Sequence, residues 1–127
     1  GQRVLTVGKG QGADLQIAAT RPDATGQEVR YLWQGQAFQT RLSLIGAFQA
    51  ENVAVAAGLA IAAGDAPEAV LGVLPRLTGV RGRMQLAATR RNGAAVYVDY
   101  AHTPDAIATA LRALRPHVMG RIIVVFG

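Results

Sequence analysis

The sequence predicts an α/β protein in two unequal parts: three or four antiparallel strands with two helices, followed by a β-hairpin that leads into a βαβ unit. Three observations predict this class. Short strand-like runs fill residues 3–45, an alanine-rich apolar run occupies 51–63, and strand and helix patterns alternate after residue 79. Half of the 127 residues are hydrophobic, which is enough for one modest domain or for pieces of two.

The N-terminal half opens with extended segments. Gly, Asp and Pro separate the runs RVLTVG, LQIAAT, EVRYLWQ and AFQTRLSLI, of which the last two partly alternate between apolar and polar residues. A tight turn is predicted at Gln34-Gly35. The motif GKGQG (8–12) resembles part of a nucleotide-binding glycine fingerprint, but a strand pattern follows it instead of a helix, which favours a simple glycine turn.

The hydrophobic period then changes. The run ENVAVAAGLAIAA (51–63) is apolar almost all round and is closed by Gly64, which predicts a buried helix with a glycine C-cap. A shorter helix is predicted from Pro67 to Leu74, with Asp65 or Ala66 at its N-cap.

The segment RLTGVRGRM (76–84) ends the helical pattern, and we place a domain boundary near Gly79, which divides the chain into residues 1–79 and residues 80–127. The C-terminal segment predicts strands MQLAATR and AAVYVDY around an Asn92-Gly93 hairpin turn, then a helix and the strand RIIVVFG. The last strand lacks a following partner and the chain does not begin with Met, so we expect a piece of a longer protein.

The helix of the C-terminal segment is predicted over residues 104–115. Thr103 can cap it, Pro104 suits the first turn, and Arg112 and Arg115 lie near its negative end. Its buried stripe is predicted to be Ile107, Leu111 and Leu114.

Charge and composition exclude several classes. The net charge of +5 comes mostly from scattered arginines, whereas nucleic-acid surfaces cluster their bases among aromatic residues, so small anionic ligands are favoured over nucleic acid. No apolar run approaches membrane-span length, and we expect a cytosolic protein without a membrane partner. The chain lacks cysteine and has two histidines, which excludes disulfides and gives no metal site; it also lacks a P-loop motif.

Polar chemistry is concentrated in YVDYAHTPD, where a strand ends and a helix begins. In a βαβ unit this junction lies at the ligand-binding edge of the sheet, and Asp99, Tyr100, His102 and Thr103 all fall there. This position suits a nucleotide or a phosphate. Each residue also has a structural explanation: Asp99 closing the strand with a side-chain turn, Tyr100 as a half-buried core residue, and His102 making a structural hydrogen bond.

Three motifs in order resemble the Mur ligase family, in its UDP-N-acetylmuramoyl-tripeptide synthetase branch: LIGAFQAENVAVAAGLA (44–60), GRMQ (82–85) and DYAHTPDAI (99–107). The resemblance spans essentially the whole chain, and DYAHTPD is its most specific motif. It implies that residues 1–79 are the end of a central ATPase domain. Residues 80–127 would begin a Rossmann-like C-terminal domain.

The resemblance also implies roles for individual residues. Asn52, at the start of the first helix, would meet adenine, and Arg83 would face the ribose-phosphate part of ATP. Asp99 would accept the ribose hydroxyls, Tyr100 would lie near adenine, and His102 with Thr103 would lie toward the phosphates. Locally, Asn52 could equally be a helix N-terminal hydrogen-bonding residue and Arg83 a solvated arginine. Gln49 stands where the family usually has asparagine, so no role is assigned to it.

The implied reaction is ATP-dependent amide formation in peptidoglycan precursor synthesis, with Mg²⁺ held outside this chain. The D-glutamate carboxylate of UDP-MurNAc-L-Ala-D-Glu would become an acyl phosphate, which the amine of meso-diaminopimelate or L-lysine then attacks. The isolated chain is expected to be inactive. Two other classes stay open: a stand-alone nucleotide- or anion-binding regulatory module, and a structural domain that packs through its alanine-rich helix.

Overall fold

The computed structural model describes residues 2–127; Gly1, with which the predicted N-terminal segment begins, lies outside them. The strands are β1 (Val7–Gly8), β2 (Leu15–Asp23), β3 (Gly26–Trp33), β4 (Gln36–Leu42), β5 (Gln85–Thr89) and β6 (Ala95–Val98). The helices are α1 (Ala47–Ala62), α2 (Pro67–Val73) and α3 (Pro104–Leu114), with 3₁₀ turns at Leu74–Arg76 and Arg115–His117.

A four-stranded sheet, in the order β1-β2-β3-β4, forms the N-terminal segment together with α1 and α2. β2, β3 and β4 are antiparallel, and Gln34 and Gly35 form the predicted turn with positive φ at both residues. The prediction that all strands are antiparallel is wrong for β1, which is only two residues long and runs parallel to β2. Asp14 stabilises this pairing, because its carboxylate accepts hydrogen bonds from the N–H and hydroxyl of Thr6 and so holds the two segments side by side.

Helix α1 begins at Ala47, four positions before the predicted start. Gly46 has φ of 105°, which breaks the extended backbone, and the alanine, phenylalanine and glutamine that follow are compatible with a helix. Gly64 ends the helix as predicted, with its N–H bonded to the Ile61 carbonyl and φ of 114°.

The predicted all-round burial of α1 is wrong. The sheet covers one face, formed by Ala50, Val53, Ala54, Ala57 and Gly58. Val55 and Leu59 on the other face are exposed because nothing in the described chain packs over them. Gly58 permits the close approach, since a Cβ there would lie 2.8 Å from the Val7 side chain.

The hydrophobic core lies between this sheet and α1 and α2. Its fully buried members include Leu15, Val29, Tyr31 and Leu42, and the Tyr31 hydroxyl donates to the carbonyl of Ala50 at 2.9 Å. Burial raises the pKa of Tyr31 well above its usual value because the phenolate would lose its hydration. The second helix starts at Pro67 with Ala66 at its N-cap, as predicted, and runs into the 3₁₀ turn instead of continuing to Leu74 as an α-helix.

The C-terminal segment contains the predicted hairpin of β5 and β6, but its turn differs in detail. The Gly93 N–H donates to the Arg90 carbonyl and the Arg90 N–H to the Ala94 carbonyl, so Arg91 and Asn92 are the central turn residues. Gly93 follows them with φ of 85°, which is the longer hairpin loop closed by a glycine bulge.

Helix α3 begins at Pro104, as predicted, but ends at Leu114, one residue early. Its predicted buried stripe of Ile107, Leu111 and Leu114 is only half buried. The predicted strand at residues 121–127 does not form, so the βαβ unit is not completed. The Arg115 guanidinium binds the carbonyls of Val118 and Gly120 just after the helix. Residues 121–127 have no strand partner within the described chain. No helix among residues 2–127 combines the length and the apolar character that crossing a bilayer requires.

Candidate nucleotide site at the start of helix α3

The loop between β6 and α3 meets the loop before β5, and this junction brings together all the predicted site residues except Asn52. Tyr100 links them: its ring centroid is 5.6 Å from the Arg83 guanidinium carbon and 5.1 Å from the centroid of the His102 ring. The two rings are inclined at 63°, an edge-to-face arrangement. The Arg83 contact is a cation–π interaction, which aligns a cationic and two aromatic groups at one surface.

Asp99 fixes the backbone next to these three side chains, which are called the Arg83 stack below. One carboxylate oxygen accepts the Met84 N–H at 2.8 Å and the other accepts the Ala101 N–H at 3.0 Å. Met84 has φ of 43°, a conformation that non-glycine residues rarely adopt, so the Asp99 hydrogen bond helps to hold a strained residue next to Arg83. The side-chain turn foreseen as the structural alternative for Asp99 is therefore present.

Tyr100 and His102 are both exposed. Tyr100 is 67% accessible, so the alternative of a half-buried core residue is wrong. The Nδ1 atom of His102 lies 3.0 Å from the Tyr100 carbonyl oxygen, which is a local hydrogen bond. Thr103 caps α3 by accepting the Ala106 N–H at 3.2 Å, as the sequence predicts.

Asn52 is separate from this cluster. It lies in the second turn of α1, not at the helix start, because α1 begins at Ala47; its predicted helix N-terminal alternative is therefore wrong. Its side chain is exposed. Helix α1 packs against β1, β2 and α2, and the contacts that join Arg83, Asp99, Tyr100 and His102 do not include Asn52.

The motif GKGQG is a turn followed by β2, as predicted. Beside it lies a cavity of about 320 Å³ lined by Val7, Gly8, Lys9, Ile17, Glu51 and Val55. Lys9 and Glu51 form a 2.8 Å ion pair at this cavity, and each side chain is at least half exposed, so the pair contributes little to stability.

The residues that join the two parts of the chain were missed by sequence reasoning. His117 is buried against residues more than seventy positions away, and the Tyr97 hydroxyl donates to the Ala24 carbonyl at 2.5 Å. Such contacts depend on the folded path of the chain. No local pattern around either residue could have indicated them.

Comparison with known proteins matches residues 82–127 to the family model described as "Mur ligase, glutamate ligase domain". The UDP-N-acetylmuramoyl-L-alanyl-D-glutamate--2,6-diaminopimelate ligase of Caulobacter vibrioides is 46% identical over all 127 residues, and that of Zymomonas mobilis is 41% identical over the same length. A solved structure of a ligase with this name matches with a TM-score of 0.75 and 34% identity over 90% of the chain, and 23% of its own length.

The chain is homologous to a segment of the Mur ligases. It spans 26% of the length of the Caulobacter and Zymomonas relatives. Within this Mur ligase segment, the family match begins at Gly82 and so contains Arg83, Asp99, Tyr100, His102 and Thr103, while Asn52 lies before it.

Proposed function

We propose that the full-length protein carrying this chain is an ATP-dependent amide ligase that adds meso-diaminopimelate, or L-lysine, to UDP-MurNAc-L-Ala-D-Glu. The observation that carries this proposal is the stack of Arg83, Tyr100 and His102 at the start of α3, inside the segment that matches the Mur ligase model. The names of the Caulobacter and Zymomonas relatives support the choice of diaminopimelate over lysine.

The residues of the stack fit a nucleotide. The Arg83 guanidinium is a planar donor suited to phosphate oxygens, and the exposed Tyr100 ring offers a face for an adenine or ribose. A carboxylate has about four acceptor sites, and Asp99 uses two of them on backbone N–H groups, which leaves capacity for ribose hydroxyls. His102 and Thr103, at the positive end of α3, complete a surface for phosphates.

The magnesium ligands of the full-length protein are proposed to lie outside this chain. Within residues 2–127 there is no group of three His, Cys, Asp or Glu side chains placed to hold a metal ion. Asn52, exposed on α1, stays a proposed adenine contact from the N-terminal segment of the chain.

ATP supplies the phosphoryl group that turns an unreactive carboxylate into an acyl phosphate, from which phosphate can leave when the amine attacks. The residues of this chain contribute binding and orientation: Arg83 would balance phosphate charge and Asp99 would hold the ribose. Phosphoryl transfer depends mainly on such positioning and charge stabilisation. The chain thus supplies some of the groups of a nucleotide clamp, and by itself it should not catalyse the ligation.

We further propose that residues 1–79 are the C-terminal end of the central ATP-binding domain and residues 80–127 the start of the Rossmann-like domain. Two observations support a boundary near Gly79: the family match begins three residues later, and every buried apolar residue of the described chain precedes it. A cytoplasmic location accords with the use of ATP and a UDP-linked substrate.

Phosphate release by the full-length protein tests the proposal, with ATP, Mg²⁺ and UDP-MurNAc-L-Ala-D-Glu, and with diaminopimelate or lysine added in turn. We expect release that depends on diaminopimelate. In Arg83→Met the KM for ATP should rise roughly 10- to 100-fold, the loss of one charged hydrogen-bonding group. The matched control is Arg91→Met, in the exposed turn between β5 and β6, which should leave the KM for ATP unchanged.

Other outcomes would change the assignment. ATP binding to the full-length protein without release of phosphate on addition of either amino acid would favour the regulatory nucleotide-binding module. If neither binding nor release occurs, and Asp99→Ala changes nothing, the polar junction is structural and the ligase proposal is wrong.

A further inference from the structure

His117 is the only buried residue between positions 80 and 127. Only 5% of it is accessible to solvent, although it lies at the end of a short 3₁₀ turn whose other two residues, Arg115 and Pro116, are exposed. Burial of a lone polar ring in a region without an apolar core requires specific partners, because an unsatisfied buried imidazole would be costly.

The ring meets three backbone groups of the N-terminal segment. Its Nε2 atom accepts the Gly46 N–H at 3.0 Å, and its Nδ1 atom lies 2.9 Å from the carbonyl oxygens of Asp23 and of Gly26. A backbone N–H can only donate and a carbonyl can only accept. The partners therefore require a neutral ring with its proton on Nδ1 and a bare Nε2.

These partners are themselves fixed. Gln27, also buried, donates its amide N–H groups to the carbonyls of Leu44 and Gly46, which holds the chain just before α1. Gly26 passes so close to β4 that a Cβ would lie 2.2 Å from the Leu42 carbonyl oxygen. His117 thus occupies a socket of backbone groups, made by the turn 23–26 and by Gly46.

A second contact reaches the same turn from the hairpin, where Tyr97 donates its hydroxyl proton to the Ala24 carbonyl. The turn 23–26 is therefore held from both β6 and the end of α3. We propose that His117 is a positioning residue whose neutral form clamps residues 82–127 onto the turn 23–26 and Gly46, and whose protonation releases this clamp. The inference goes beyond the proposed function and does not depend on ATP.

The physical reason is a conflict between donors. A second proton on the ring must sit on Nε2, where it would face the N–H of Gly46 and replace an attractive contact with a repulsive one. The carboxylates of Asp23 and Glu28 are paired with Arg41, and the guanidinium of Arg115 is bound to the carbonyls of Val118 and Gly120. The titratable or charged groups on the elements around the ring are Arg21 and Asp23 on β2, Glu28, Arg30 and Tyr31 on β3, Arg41 on β4, Tyr97 on β6, Asp105 and Arg112 on α3, and Arg115 in the ring's own turn.

Nuclear magnetic resonance on the full-length protein with ¹⁵N-labelled histidine tests the clamp directly. At neutral pH we expect His117 to show the Nδ1–H tautomer and the Gly46 amide to be protected from hydrogen exchange. As the pH falls, the protection factor of Gly46 should drop at least about tenfold in step with protonation of His117. His102, which is exposed, is the internal reference: the protection factor of the Gly46 amide should not change in step with protonation of His102.

Two variants separate positioning from simple packing. His117→Phe fills the space without hydrogen bonds and should lower Gly46 protection at every pH, removing its pH dependence. His117→Asn retains a donor and an acceptor but cannot be protonated, so it should restore some of the protection without the pH dependence. An Nε2–H tautomer in the unsubstituted protein, or Gly46 protection that ignores the titration of His117, would overturn the proposal even if neither variant folds.

Discussion

The two parts of the chain differ in what stabilises them. In residues 2–79 a sheet and two helices enclose a core whose buried apolar members run from Leu15 to Leu74. In residues 80–127 the elements are equally regular, but no apolar side chain is buried. Within the described residues, the regular elements of the C-terminal segment therefore have no buried apolar core of their own.

Local interactions account for the order of the C-terminal segment. A glycine bulge closes the hairpin, Thr103 caps α3, and Asp99 pins the loop at Met84. These contacts determine the conformation of the C-terminal segment but do not attach it to the N-terminal segment. Short isolated helices and hairpins are only marginally stable in water. Attachment depends on the polar contacts of Tyr97 and His117 with the turn 23–26.

The largest expected effect comes from a matched leucine pair. Leu42→Ala removes a fully buried side chain and should lower the free energy of unfolding by about 2–5 kcal/mol, because it loses apolar burial and leaves a cavity. Leu86→Ala in β5, where the side chain is 39% exposed, should cost less than about 1 kcal/mol. Chemical denaturation of both variants measures the difference, and equal costs would show that the C-terminal segment has a core comparable to that of the N-terminal one.

A smaller effect is expected at the helix cap. Thr103→Ala leaves the Ala106 N–H without its side-chain acceptor and should destabilise α3 by about 1 kcal/mol. Hydrogen exchange should accelerate in α3 while that of β3 stays unchanged, because the two elements share no core. The control is Thr109→Ala, exposed in the middle of the helix; faster exchange in β3 as well would mean that the two segments unfold together.

The smallest effect concerns acid stability at the turn that both contacts share. The hydrogen bonds from the Arg41 guanidinium, with help from the Thr25 N–H, hold the pKa of Asp23 well below its usual range. A folded-state pKa below the unfolded one stabilises the fold above the unfolded pKa of about 4, and this contribution is lost as the pH falls further. Its size should be modest because the pair is partly exposed.

Arg41→Gln should return the Asp23 carboxyl to a near-ordinary titration, observed by ¹³C resonance, and flatten the fall of stability below about pH 4. Arg30→Gln, which removes an exposed arginine from neighbouring β3, should change neither. If the pKa of Asp23 stays well below its usual range in Arg41→Gln, the backbone N–H groups would be the cause instead.

Much of the fold followed from local sequence patterns. The turn at Gln34-Gly35, the cap at Gly64 and the start of α3 at Thr103 were all predicted, since each depends on the conformational preference of one or two residues. The predictions that failed concern partners: the parallel pairing of β1, the exposed face of α1, and the missing strand at 121–127.

The candidate site divides in the same way. DYAHTPD and GRM drew attention to Asp99, Tyr100 and Arg83, and the structure brings these together across the base of one hairpin. Asn52, on α1, takes no part in these contacts.

The sequence by itself determined where the helices and turns form and which residues carry the polar chemistry, because caps, glycine conformations and hydrophobic periods act over a few positions. Tertiary structure alone decided which strands pair, which helix face is covered, and that His117 becomes a neutral, buried clamp. Each of these depends on groups distant in sequence that meet only when the chain has folded, so no local pattern encodes them.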